Sequence, residues 1–205
     1  MQKKIDENYK KIYDKFYEDD NNFVIRARAL YELGLCSRDI SDLVKAGKLD
    51  KIKHGYYQLI EYDQSEHKLI SQLYPDGILC MYSALFYYGY TDRTPLGWDI
   101  AIDRNVSKAR FNIDYPYVIP HYIDKKHLSY GVETIVYEDG VMNIFDRDRL
   151  ICECVKNEHK MDKEIYNKAI RAYINDNQKD VTKLNEYSQQ RNIQNKVKER
   201  IGVWL

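Results

Sequence analysis

The chain has only four prolines and nine glycines in 205 residues, too few for a collagen-like or linker-dominated protein. No apolar run reaches the roughly eighteen residues that a transmembrane helix needs, so a membrane span is not expected. The opening stretch MQKKIDENYKKIYDKFYEDD has no apolar core segment and does not read as a secretory signal, which makes the cytoplasm the expected location. Net charge is lacking as well, with 32 Lys and Arg against 32 Asp and Glu, so the whole molecule exerts no general pull on a polyanion. The four cysteines (Cys36, Cys80, Cys152, Cys154) form no CxxC pair, which argues against a disulfide framework and predicts free buried thiols. Internal repeats, a glycine-rich phosphate loop, a GxSxG elbow and a Cys/His nucleophile signature are all missing.

What is present is the composition of a folded protein, 44% hydrophobic and 31% charged. The length suits one domain or a small module joined to a larger one. Charge is mildly segregated: seven Lys and Arg face four Asp and Glu between Phe23 and Ile60, and thirteen face nine from Arg147 to Leu205. The middle is therefore acidic. DNA meets one face of a protein at a time, so this distribution matters more than the zero sum.

Ile5, Tyr9, Ile12, Tyr13, Phe16 and Tyr17 recur every three or four residues and predict a helix with one apolar stripe, ended by the acidic EDDNN. The stripe fits a helix packed on the domain behind it, and a dimerising stripe is the alternative. Arg26 to Leu33 predicts a short helix with Ala29, Leu30 and Leu33 inward, stopped by Gly34. Ser37 is the expected N-cap of a second helix, with Asp39 favoured near its positive end. That helix buries Ile40, Leu43 and Val44 and stops at Gly47. Leu49 to Lys53 and Tyr56 to Ile60 then read as strands around a His54-Gly55 turn, with Lys51 and Lys53 on one face. Two short helices joined by a glycine-containing turn, followed by a basic hairpin, match a winged helix-turn-helix.

Glu61 to Glu66 is a plausible linker, which sets domains of 1–62 and 63–205. Helices are expected at His67 to Tyr74 and Tyr82 to Tyr88, with Pro75-Asp76-Gly77 between them and Gly89 after. Strands follow at Trp98 to Asp103, Tyr117 to Ile123, Val132 to Tyr137 and Val141 to Phe145, the last two joined by Glu138-Asp139-Gly140. From Asp146 the chain reads as helical to its end, with Asp146 and Asp162 as caps and Ile165, Ala169, Ile170, Tyr173 and Ile174 as a core stripe. The last helix buries Ile193, Val197, Ile201 and Trp204. The fold class is thus α+β: an N-terminal winged helix-turn-helix, then a mixed α/β domain ending in helices.

Leu30 to Leu35, Ser37 to Val44, Ala46 to Leu49, Lys51-Ile52 and Gly55 to Tyr57 together resemble the winged-helix domain of the AbiEi antitoxins of type IV toxin–antitoxin and abortive-infection systems. Ser83 to Gly89 is similar to the helix that follows in that family, and Val141 to Glu153 to its strand-then-helix segment. Arg149-Leu150 departs from the Arg-Thr-Leu of the family pattern. The resemblance implies a DNA-binding autorepressor of its own promoter. It also implies an antitoxin that counteracts a nucleotidyltransferase-like toxin without a stable complex.

In a helix-turn-helix the second helix enters the major groove. Its outward residues would be Ser37, Arg38, Ser41, Asp42 and Lys45, and Arg38 is the best base reader because its fork pairs bidentately with guanine. Lys45 suits a phosphate. Arg26 and Arg28 could touch the backbone, while Lys48, Lys51, Lys53 and His54 would form the wing. Lys183, Arg191, Lys196, Lys198 and Arg200 make a possible second nucleic-acid or antitoxin surface, with ordinary solvated helix faces as the bland reading.

No enzyme, metal or cofactor is expected. Asp99 and Asp103 share one face of a strand but lie roughly 13 Å apart, too far for one ion. Cys152 and Cys154, two apart on a helix, point away from each other and cannot share one zinc with His159. The alternative function is a ligand-responsive winged-helix regulator with a pocket among Tyr82, Phe86, Tyr87, Tyr88, Tyr90 and Trp98.

Overall fold

The computed structural model describes residues 2–18, 24–60 and 65–202, apart from the side chains of Tyr17 and Glu18. The Tyr17 end of the first stripe, most of the acidic stop, most of the expected linker and Trp204 lie outside the described residues. The chain is α+β and divides into two compact units. One is Met1–Pro75 with the short stretches Asn112–Tyr115 and Glu138–Gly140; the other is Asp76–Phe111, Pro116–Tyr137 and Val141–Leu205.

In the first unit, helix α1 (Gln2–Tyr13) continues through a wider turn at Asp14–Glu18. Its Ile5, Tyr9, Ile12, Tyr13 and Phe16 pack on the unit's own core, with Ile12 fully buried, so the stripe is covered within the chain. A two-residue strand β1 (Ile25–Arg26) precedes α2 (Ala27–Glu32), then come α3 (Ser37–Lys45), β2 (Leu49–Lys53), β3 (Tyr56–Leu59) and α4 (Glu66–Leu73). Arg26 was expected to open the helix. It is extended instead (ψ 142°) and pairs with Tyr56, which makes a three-stranded sheet of order β1-β3-β2.

Both stops are built as the glycines predict. Gly34 (φ +83°) follows α2, and its N–H and that of Leu35 close on the carbonyls of Tyr31 and Leu30. Gly47 (φ +65°) does the same after α3, where its N–H and that of Lys48 bond Val44 and Leu43. These paired bonds satisfy carbonyls that a helix end leaves open, in a left-handed conformation that suits glycine. Leu30, Leu35, Ile40, Leu43, Leu49 and Leu59 form the core between helices and sheet. Helix α4 follows the linker expected at Glu61 to Glu66 yet falls in this unit: Leu69, Ile70 and Leu73 are buried, and Gln72 accepts the Val24 N–H at 2.8 Å.

The second unit holds β4 (Ile78–Leu79), α5 (Met81–Tyr87), β5 (Trp98–Asp103), β6 (Val118–Ile123), β7 (Val132–Tyr137), β8 (Gly140–Phe145) but for its first residue, α6 (Arg147–Lys156), α7 (Lys163–Ile174), α8 (Val181–Gln190) and α9 (Gln194–Arg200). Its sheet has the order β6-β5-β4-β8-β7. The central β4 runs antiparallel to β5 and parallel to β8, and β5 runs parallel to β6. Asp146 and Asp162 cap α6 and α7 through their carboxylates, as expected. Helix α6 is buried along its length, from Asp148 through Val155. Such a helix normally carries apolar residues on every side; this one also carries Asp148, Arg149 and Glu153. Among the described residues no helix is long and apolar enough to cross a membrane.

Candidate nucleic-acid interface

The two faces of α3 differ sharply. Ile40 and Leu43 are buried in the core, whereas Ser37, Arg38, Ser41 and Lys45 are exposed. Residues four apart lie one above another on a helix, so Ser37, Ser41 and Lys45 make a single outward line with Arg38 beside it. Among the described residues Arg38 and Lys45 have no ion-pair partner. The Ser37 hydroxyl lies 3.2 Å from the Tyr31 hydroxyl.

Ser37 is not the N-cap. Cys36 holds that position, and its N–H donates to Asp39 Oδ2 at 3.1 Å. Ser37 is the first helical residue, which frees its side chain to point outward. Asp39, favoured near the positive end of the helix, is buried there and paired with Lys4 Nζ of α1 at 2.6 Å. The Lys4 ammonium, then the Cys36 N–H, hold its carboxyl down at about 2.

The basic hairpin also differs from its expected form. An irregularity in the β2–β3 register between Lys51 and Lys53 breaks the period of two that placed both lysines on one face. Lys51 is exposed opposite Tyr57. Lys53 is 9% exposed, with its ammonium 4.6 Å from the Tyr56 ring centre and 4.7 Å from that of Tyr74. This is a cation held on aromatic faces. Lys48, half-buried, lies 4.7 Å from the Tyr9 ring centre. His54 is exposed in the turn. Arg26 is exposed 5.9 Å from the Tyr56 ring centre, and Arg28 is exposed and paired with Glu32 at 3.0 Å. Lys48 and Lys53 therefore do not reach outward as the hairpin's basic edge, because Tyr9, Tyr56 and Tyr74 take their ammonium groups.

In the second unit, Lys183, Lys196 and Lys198 are exposed. Arg200 is held by both oxygens of Glu158, at 2.8 and 3.1 Å. Arg191 was expected on a surface but is 7% exposed, and it forks onto Glu153 with Nε at 2.6 Å and Nη2 at 2.8 Å. Glu153 also takes Arg149 Nη1 at 2.8 Å. The Arg149 guanidinium is fully buried between the rings of Tyr130 and Phe145 and donates to the His127 carbonyl at 3.0 Å. Nothing in the sequence pattern marked this trio, because Glu153 lies in α6 and Arg191 follows the end of α8, 38 residues on.

A polar cleft of about 390 Å³ near the starts of α6 and α8 was likewise missed; Glu133, Asp148, Asp180 and Lys183 are among its walls. Burial pushes the Asp148 carboxyl up, while the Tyr173 hydroxyl (2.7 Å) and the Asp180 N–H (2.9 Å) bond its Oδ1.

Asp99 and Asp103 serve separate partners. Asp99 is buried with Oδ1 2.6 Å from His121 Nε2, and Asp103 Oδ1 accepts both N–H groups of Asn105 at 3.0 Å. Cys80, Cys152 and Cys154 are buried, and burial pushes the Cys152 thiol up to about 12. Cys36, expected to be buried, is exposed. Tyr87, Tyr88, Tyr90 and Trp98 pack in a run of ring contacts with Tyr137 and Tyr173. The Tyr82 hydroxyl accepts the Asp162 N–H at 2.9 Å. No family model matches the chain, and no curated protein matches it in sequence.

Proposed function

We propose that the first unit is a winged helix-turn-helix that binds duplex DNA, with α3 in the major groove and the β2–β3 hairpin as the wing. The observation that carries this reading is the outer line of α3. Ser37, Arg38, Ser41 and Lys45 are solvent-facing, while the opposite face is locked into the core by Ile40 and Leu43. Two glycine-closed helix ends and a hairpin directly after α3 support the same reading. Arg38 reads a base, Lys45 and Lys51 meet phosphates, and Arg26, Arg28 and His54 are further exposed groups of the unit.

In this reading the chain is a transcriptional autorepressor and antitoxin that acts on its own promoter. It counteracts a nucleotidyltransferase-like toxin without a stable complex. The antitoxin half rests on the AbiEi resemblance of Leu30 to Tyr57 and Val141 to Glu153.

The test is binding of the full chain to duplex DNA from its own upstream region, followed by fluorescence anisotropy across a salt series. Arg38→Ala weakens specific binding by about 1–3 kcal/mol and relaxes preference at one base pair. Lys45→Ala with Lys51→Ala weakens binding to all sequences and lowers the salt slope by about two. A triple alanine variant at Arg38, Lys45 and Lys51 that binds as the parent does would refute the docking.

A further inference from the structure

The N-terminal helix is more than a cover for the core. Lys4 reaches across from α1 to Asp39 in the first turn of α3, the end that a major-groove helix turns towards the bases. A carboxylate there repels phosphate, and Lys4 cancels that charge at contact distance. Lys11 stands seven residues after Lys4, which returns it to the same flank of α1 within about 20° and about 10 Å further along the axis. Lys15 lies four residues beyond Lys11, in the wider turn Asp14–Glu18 that continues the helix. Both are exposed. Asn8, between Lys4 and Lys11 on this flank, is buried, so the flank borders the packed face of the helix.

We propose that α1 is part of the DNA-binding surface, with Lys4 neutralising Asp39 at the start of α3 while Lys11 and Lys15 meet backbone phosphates beside it. Lys4 is a positioning residue here, since its ammonium is spent on Asp39. This rests on the winged-helix reading of the first unit.

The experiment titrates the full chain into the labelled upstream duplex across a potassium chloride series, with a thermal melt of each variant as a control for folding. Lys4→Met weakens binding about fivefold, the factor for one unmatched charge about 4 Å away in a water-like medium. Adding Asp39→Asn to Lys4→Met restores the affinity to within about twofold of the parent, a rescue that a loss of packing does not give. Lys11→Ala with Lys15→Ala lowers the slope of log affinity against log salt by about 1.8, for two phosphates at about 0.9 each. An unchanged slope in that pair, or equal binding by Lys4→Met with and without Asp39→Asn, overturns the proposal while the winged-helix reading stands. A parent chain that binds no duplex overturns both.

Discussion

Glu153→Gln is the substitution whose consequence the second unit specifies most sharply. Glu153 is 3% exposed and is the carboxylate on which Arg149 and Arg191 converge, at 2.8 Å for Arg149 and at 2.6 and 2.8 Å for Arg191. At an effective dielectric near 20, each pair with charge centres about 4 Å apart is worth about 4 kcal/mol of Coulomb attraction. Release of the buried carboxylate to a neutral amide recovers several kcal/mol of desolvation. The two guanidiniums, however, are left facing each other without a counter-charge. Burial already pulls the Arg149 group below its ordinary value, and Arg191 pushes the same way against the pull of Glu153. Removing one partner of a buried pair leaves a net loss of about 3–5 kcal/mol. For a chain of this size each kcal/mol moves the melting temperature by roughly 2–4 °C, so Glu153→Gln melts roughly 6–20 °C lower. Circular dichroism melts measure it. A second variant, Glu153→Leu with Arg149→Met and Arg191→Met, removes all three charges and keeps most of the volume, so it recovers most of the loss. A Glu153→Gln chain melting within about 2 °C of the parent would show that the trio contributes little and that solvent reaches it.

Asp39 sets a distinct acid dependence. Its folded value of about 2 lies below the unfolded value near 3.9, so the stabilisation it confers is complete above about pH 4 and is lost as pH falls through 2. Carbon-detected titration should show its carboxyl ionising near 2, and a midpoint near 3.9 would remove the Lys4 contact. The thiols separate by exposure: Cys36 is open to solvent, whereas Cys80, Cys152 and Cys154 are enclosed and raised by burial. A thiol reagent applied to the native chain should label one cysteine rapidly, with none labelled rapidly in Cys36→Ser. A fast-reacting thiol surviving that substitution would contradict the burial of the other three.

Local signals carried the parts of the fold that were legible. Gly34 and Gly47 stop α2 and α3 because glycine takes at low cost the left-handed conformation in which the open carbonyls of a helix end are closed. Asp146 and Asp162 cap because their oxygens reach N–H groups two or three positions on. Pairings between distant segments were not legible. Strand β1 exists only because Ile25 and Arg26 meet Tyr57 and Tyr56, and β4 because Ile78 and Leu79 fit between β5 and β8. Two residues carry no periodicity, so neither strand leaves a pattern to find.

The same division governs the charged residues. Counting cations from Arg147 onward finds a surplus of four over carboxylates. Burial of Arg149 and Arg191 removes two cations from the surface, and burial of Asp148 and Glu153 removes two carboxylates, so the surplus survives folding unchanged. Its location does not survive. Arg191, counted as an outward cation, is the group locked on Glu153, while Lys183, Lys196 and Lys198 keep their exposure. In the first unit Lys53 is lost to the rings of Tyr56 and Tyr74, and the irregularity after Lys51 is the cause. A sum of charges depends only on composition. The choice of which lysine reaches a phosphate depends on a one-residue shift of register, and α3 escapes that hazard because the line Ser37, Ser41, Lys45 is fixed by helical pitch alone.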